Sequence, residues 1–392
     1  MEEKLWNSNY LKIWTGNFLI NFSFALIVPL LPLYLSGNFH ADKDTIGLVM
    51  AGYTVMALLI RPFSGFIVDT MPRRTVLLVC NFIFFALFFG YLIAGTITMF
   101  AIFRTLHGLP FGGITVAAST VAIDVLPSSR RTEGIGYYGL SNNLATVIGP
   151  IAAIVVLEKA QGDFISLFYL SIISSFLGLV LDATIKLPKK DYPTPDKMLS
   201  LDRFFLTKGI HEAVAIFCYA ISYGIMATYV AIYGKEELGI SSGTGLFFSL
   251  FAVGLIVSRL TGAKALRENR VLRNATFGVL VALLGYTIFA ALHNEAGYYL
   301  AAFTVGLGNG HMYPAFQNMF INLAEHNQRG TANSSILTAW DAGVGLGMLA
   351  GGIVAQHFGY HPAFWIGATV NAIGVIYYFL RIKSHFSRNK LR

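Results

Sequence analysis

The chain is a succession of apolar stretches long enough to cross a lipid bilayer, and its positive charge collects almost entirely in every second connection between them. At roughly 20 apolar residues per crossing, the sequence divides into about twelve spans, at 10–36, 46–69, 75–95, 98–122, 133–157, 164–186, 207–233, 241–262, 274–292, 297–321, 330–354 and 362–381. Alternate connections then face the same side. On one side fall Lys4 and Lys12, Arg73 and Arg74, Arg130 and Arg131, the 186–208 segment, the 264–273 turn, Arg329 and the tail from Arg381, together 22 cations. The other side holds only Lys43, Lys159 and Lys235. Cationic loops stay in the cytoplasm, so both termini are expected there, in a multi-pass protein of the cytoplasmic (inner) membrane of a prokaryote. The three remaining arginines, Arg61, Arg104 and Arg259, fall within spans.

Composition excludes an ordinary soluble enzyme: 55% of the 392 residues are hydrophobic and only 12% charged,. A large soluble α/β core fails too, because its buried helices do not repeat at spanning length. The formal charge of +8 is explained by topology and by contact with anionic lipid, without nucleic acid. Cys80 and Cys218, one in each half, sit in apolar stretches and read as packing residues. The first apolar run lacks a small-residue cleavage site and leads into further spans, so the first helix is expected in the mature protein.

One connection is long. Residues 187–206 are polar, basic and contain proline, and they separate a first six-helix bundle (1–186) from a second (207–392). The fold class expected is an all-α membrane protein of twelve transmembrane helices in two six-helix bundles. The halves echo one another: Arg61 with Gly65 in the second span resembles Arg259 with Gly262 in the eighth, and small-residue runs recur in the fifth and eleventh. Glycines at 134, 136 and 139, at 306, 308 and 310, and at 343, 345 and 347 predict close helix contacts,.

The segment Gly65-Phe66-Ile67-Val68-Asp69-Thr70-Met71-Pro72-Arg73-Arg74 resembles the loop 2–3 signature of the major facilitator superfamily. Arg104-Thr105-Leu106-His107-Gly108 in the fourth span is similar to the arginine-glycine motif of its proton-coupled members. Gly149-Pro150 in the fifth resembles the core of the antiporter motif, with Ala152 and Ala153 where two glycines usually follow. The resemblance implies the major facilitator fold and points to the proton-coupled drug and metabolite efflux branch. It also implies that Asp69, Arg73 and Arg74 form a cytoplasmic gate in the outward-facing state.

Other candidates follow from polarity inside spans. A cation near the bilayer centre costs about 2.5–3.5 kcal/mol on insertion scales, so Arg104 is expected to serve coupling by acting on a carboxylate, a water or an anionic solute. Asp341, the deepest carboxylate, is expected to bind a proton or contact substrate. Asn17 and Asn21, four apart on one helix face, join His107, Asn142, Asn143, His311, Gln317 and Asn318 as candidates to line a substrate cavity. Neither His107 nor His311 belongs to a metal-ligand cluster, and no metal site is expected.

No phosphate loop, ATPase motif or catalytic triad is present, so no cofactor is expected and a proton gradient is expected to supply the energy. The function expected is a secondary active transporter, not an enzyme: proton-coupled export of a small organic solute or drug by alternating access. The alternative is a proton-coupled or facilitative importer of a sugar or organic acid. The expected partners are the solute, protons and membrane lipid, with no nucleic acid, and the chain is expected to act as a monomer.

Overall fold

Helix follows apolar length here because backbone N–H and C=O groups in hydrocarbon find partners only inside their own segment. The computed structural model describes residues 5–127, 130–187, 205–240, 244–267, 270–325 and 329–391, and all regular structure among them is helical. The first half contains α1 (Ser8–Ile27), α2 (Leu31–Phe39), α3 (Lys43–Thr70), α4 (Arg73–Ile93), α5 (Ile97–Val125), α6 (Arg131–Lys159) and α7 (Ile165–Ala183). The second contains α8 (Ile210–Glu236), α9 (Thr244–Arg267), α10 (Val271–Ala291), α11 (Glu295–Leu323), α12 (Arg329–Phe358), α13 (Tyr360–Tyr377) and α14 (Lys383–Asn389), the last two joined by a π turn at Tyr378–Ile382. Most of the linker, residues 188–204, and the Asp69 and Glu133 side chains lie outside the described residues.

Each expected span has its helix, with two departures. The first span is broken: α1 and α2 are bent by 42°. Pro29 and Pro32 explain the break, since each lacks the N–H that would continue the helix ladder,. Among the described residues, ten helices are long and apolar enough to cross a membrane, and the bent pair makes eleven. The twelfth, α11, has 29 residues, which is about 43 Å at 1.5 Å per residue. It is long enough to span, but Gly306, Gly308, Asn309, Gly310 and His311 dilute its apolar character.

The chain divides into two compact units, residues 1–39 with 52–198 and residues 40–51 with 199–392. The division by proximity therefore assigns the opening turns of α3 to the second unit, rather than falling wholly in the linker. The reason lies in a polar cluster. Tyr229 donates to the carbonyls of Lys43 (3.0 Å) and Met348 (2.9 Å), and Gln356 accepts from the Lys43 amide at 3.0 Å. The Lys43 ammonium lies 3.6 Å from Glu236 and 3.8 Å above the Tyr360 ring.

Packing repeats between the units. In the first, α1 packs on α6 and α7, and α4 on α5 and α7; in the second, α8 packs on α12 and α13, and α10 on α11 and α13. The glycine seams repeat as well. A Cβ at Gly108 would meet the Tyr53 carbonyl and one at Gly112 would meet α3 at Ile60, while Gly306 and Gly310 oppose Phe251 and Ser258 of α9 in the same way. Both seams are four-residue glycine spacings that let backbones approach closely. Gly343 and Gly347 likewise face backbone of α8 at Phe217 and Ile221. Gly139 departs from the expectation: among the described residues, nothing lies within 4 Å of a Cβ built there. Cys80 and Cys218 are free thiols, and the Cys80 sulfur packs against Gly113.

Candidate functional site

Arg104 enters the interior of the first unit from α5, where only 1% of it is exposed. Its guanidinium lies 4.3 Å from the centroid of the Tyr53 ring and 5.2 Å from that of Phe24. Phe24 and Tyr53 stack on each other at 4.8 Å, and Phe111 closes the group. A cation over aromatic faces is attracted by their quadrupoles, yet rings accept no strong hydrogen bond. Arg104 Nε and Nη1 have no hydrogen-bond partner among the described residues. The helix thus presents a buried positive charge with donors to spare.

One turn on, His107 shares Tyr91 with Arg104. It is fully buried, its ring 4.3 Å from Phe84 and 4.6 Å from Phe88, and Nδ1 meets the Tyr91 hydroxyl at 2.8 Å. This is a joint between α5 and α4. His311 is a joint as well: Nδ1 lies 2.6 Å from Asn274 Oδ1 and Nε2 lies 3.0 Å from the Thr261 hydroxyl. The amide oxygen only accepts, so Nδ1 carries a proton toward Asn274, while Nε2 faces a Thr261 hydroxyl that also donates to the Val257 carbonyl at 2.8 Å. With both nitrogens engaged, His311 ties α9, α10 and α11 together.

The asparagines form a track across α1 and α6. Asn17 donates to the Ser141 hydroxyl and to Asn142 Oδ1, both at 2.6 Å. Asn21 donates back to Asn17, to its carbonyl at 2.8 Å and to Oδ1 at 3.2 Å. Asn142 is exposed and Asn143 half-buried. In the second unit, Gln317 donates to Asn333 Oδ1 at 3.0 Å, joining α11 to α12, while Asn318 returns to its own helix at the Pro314 carbonyl (2.9 Å). Asp341 is half-buried on α12, beside Trp340, which packs on Tyr223 and Tyr313 at 5.4 and 5.1 Å. The structure therefore brings Asn17, Asn21 and Asn142 into one network and uses His107 and His311 inside helix joints.

At the cation-rich end of the first unit, Arg73 Nη1 bonds both oxygens of Asp124 at 2.7 Å. Its Nε also donates to the Val68 carbonyl at 3.3 Å. Arg74, by contrast, caps the end of α7 through the Ala183 carbonyl. Arg73 thus holds the carboxylate of Asp124 of α5. Charge-assisted bonds of this kind are worth about 1.5–3 kcal/mol. Asp124→Asn should lower the thermal stability of the purified protein accordingly, and an unchanged denaturation midpoint would show that the pair contributes nothing.

Two buried acids escaped the reading of the sequence. Asp182, on α7, is 1% exposed and accepts from Asn81 Nδ2 at 2.8 Å. Glu212, on α8, is fully buried, with His385 Nδ1 at 3.1 Å from one oxygen. Both lie within a turn or two of loop cations, where an acid reads as part of the membrane edge. The available signal was local: Asp182 ends the otherwise apolar run FLGLVLD, four residues before Lys186.

Comparison with known proteins follows this architecture. Residues 13–344 and 312–391 match the sequence profile of the Major Facilitator Superfamily. The quinolone resistance protein NorA of Staphylococcus aureus (strain MRSA252) is 22% identical over 386 residues, covering 94% of this chain and 95% of NorA. The staphylopine export protein of Staphylococcus aureus (strain Mu50 / ATCC 700699) is 22% identical over 367 residues, covering 87% and 88%. Among solved structures, the peptide transporter POT has the same fold, with a TM-score of 0.79 at 16% identity over 97% of this chain and 95% of that one.

Proposed function

Because the chain belongs to the major facilitator superfamily of membrane transporters, we propose that it exports a small organic solute in exchange for protons, by alternating access. Two relatives matched along most of its length, a quinolone resistance protein and a staphylopine exporter, support the outward direction. The observation that carries the reading is Arg104, a buried guanidinium on aromatic faces with unused N–H donors. Such a charge is destabilising unless an anion visits it. The visiting group is an acidic or carbonyl-bearing part of the solute, which the planar fork of the guanidinium holds by two parallel bonds.

Asp341 supplies the opposite charge. A carboxyl inside a span binds its proton more tightly in an apolar setting than in a wetted one, so a proton bound at Asp341 in one conformation and released in another links proton flow to the cycle. The Arg73–Asp124 pair, with Asp69 and Arg74 beside it in sequence, serves as the cytoplasmic gate. Neutralising Asp124 accordingly lowers turnover more than solute affinity.

Proteoliposomes with an imposed pH gradient test the proposal. Asp341→Asn should lose proton-driven accumulation of solute and keep exchange of solute for solute at equal pH. A D341N protein with full proton-driven transport would remove Asp341 as the required carrier.

A further inference from the structure

Asp182 has no part in the cycle described so far, and its surroundings are incomplete in an informative way. Its Oδ2 accepts from Asn81 Nδ2, while its Oδ1 has no partner among the described residues. The Oδ1 of Asn81 is equally buried and equally without a partner. Two acceptors are therefore orphaned on the same pair of side chains. A carboxylate cannot help, because it has only acceptors. A carboxylic acid can, because it carries an O–H donor that a carboxylate lacks.

The neighbouring cations are directed past the carboxyl group. From α1, Lys12 donates to the Thr184 carbonyl at 3.1 Å, and from α4, Arg74 donates to the Ala183 carbonyl. Both cap the end of α7, and no ion pair to Asp182 is formed among the described residues. Asp182 also stands in the last turn of its helix, where the dipole disfavours negative charge. A further titratable neighbour is Tyr138 of α6, beside which Tyr10 of α1 donates its hydroxyl to the Gly134 carbonyl at 2.6 Å. Gly16 of α1 lies against Asp182, and Gly178 lies against Ile20 and the Gly16 carbonyl. This small-residue seam seals the carboxyl between α1 and α7.

We propose that Asp182 is a second proton-carrying carboxyl of the transport cycle, holding its proton against Asn81 while the α1–α7 seam is closed. Opening the seam admits water, which solvates the carboxylate and lets the proton leave. The proton is bound and released without any other bond changing. This rests on the proton-exchange reading above and adds a second coupled proton to the one assigned to Asp341.

Asp182→Asn is the direct test, because an asparagine has an N–H to offer Asn81 Oδ1 and is expected to fold. Each coupled proton supports about a tenfold solute ratio per pH unit, since 1.4 kcal/mol is a factor of ten. In proteoliposomes under a gradient of about one pH unit, D182N should reach a solute ratio about tenfold below wild type, with equal exchange at symmetric pH. Infrared spectra of the purified protein at neutral pH should show an un-ionised carboxylic acid band that D182N lacks. A D182N protein that accumulates solute to the wild-type ratio, or that keeps the whole band, overturns the assignment while leaving proton exchange intact. If wild type itself builds no pH-driven gradient, the export reading fails together with the coupling role of Asp182. The infrared band then decides separately whether Asp182 holds a proton.

Discussion

Arg104→Met should remove solute transport while leaving the fold as stable as before, or more so. Loss of a hydrogen-bonded charge partner costs about 1.5–3 kcal/mol, which is roughly tenfold to a hundredfold in affinity or rate. The same substitution relieves the protein of a buried cation whose Nε and Nη1 have no partner among the described residues, and well-packed apolar replacement of buried charge is neutral or stabilising. Methionine fills the space against Tyr53 and Phe24 without leaving a void. Arg104→Lys is expected between the two, because an ammonium keeps the charge and loses the fork. Transport assays and a thermal denaturation midpoint, read side by side, separate the roles. A large drop in the midpoint with R104M would identify a structural residue, and retained transport would remove Arg104 from the solute site.

Gly108→Leu and Gly306→Leu carry the second large effect, this time on folding. A Cβ at either position runs into backbone, the Tyr53 carbonyl in one unit and the Phe251 carbonyl in the other. Backbone has no rotamer to change, so the helices must separate along the whole seam. Overpacking of this kind costs about 1–3 kcal/mol and occasionally more. The yield of monodisperse protein and its denaturation midpoint should both fall. Gly139→Leu is the control, since nothing among the described residues lies within 4 Å of a Cβ there. Equal behaviour of all three variants would mean that the glycine seams do not hold the helices within each unit together.

The spans were legible because the physics that demands them is one-dimensional: length, apolarity and the side on which cations fall. The break in the first span was less so. Pro29 and Pro32 stand in plain view, but an apolar run crossing a proline still reads as one segment. The candidate site was harder, because a polar residue in a span does not reveal which helix face carries it. Asn17 and Asn21 were placed on one face by their spacing of four, and Asn21 does donate to Asn17. No spacing rule announced that His107 lies against Phe84, Phe88 and Tyr91, or that His311 joins Asn274 and Thr261.

Asp182 carries no mark in the sequence that sets it apart from the acids of a membrane edge. Helix packing nonetheless buries it beside Asn81 from a span about a hundred residues earlier. Burial of that kind depends on which helices become neighbours, and on the small residues that let α1 and α7 close over the carboxyl. Similarly, the paired arginines proved unlike: Arg73 holds Asp124, and Arg74 caps the end of α7. Adjacent residues on a helix diverge by about 100°, so a shared motif does not imply a shared partner.

The central claim, export driven by protons moving the other way, is tested most directly by measuring both fluxes in one proteoliposome preparation. A panel of small organic solutes, weighted toward those carrying a carboxylate or carbonyl, is offered under an imposed pH gradient while an internal pH indicator records the protons. The account predicts solute and proton fluxes of opposite sign, each collapsing when the gradient is removed. Fluxes of the same sign, or solute movement that leaves the pH signal unchanged, would contradict it.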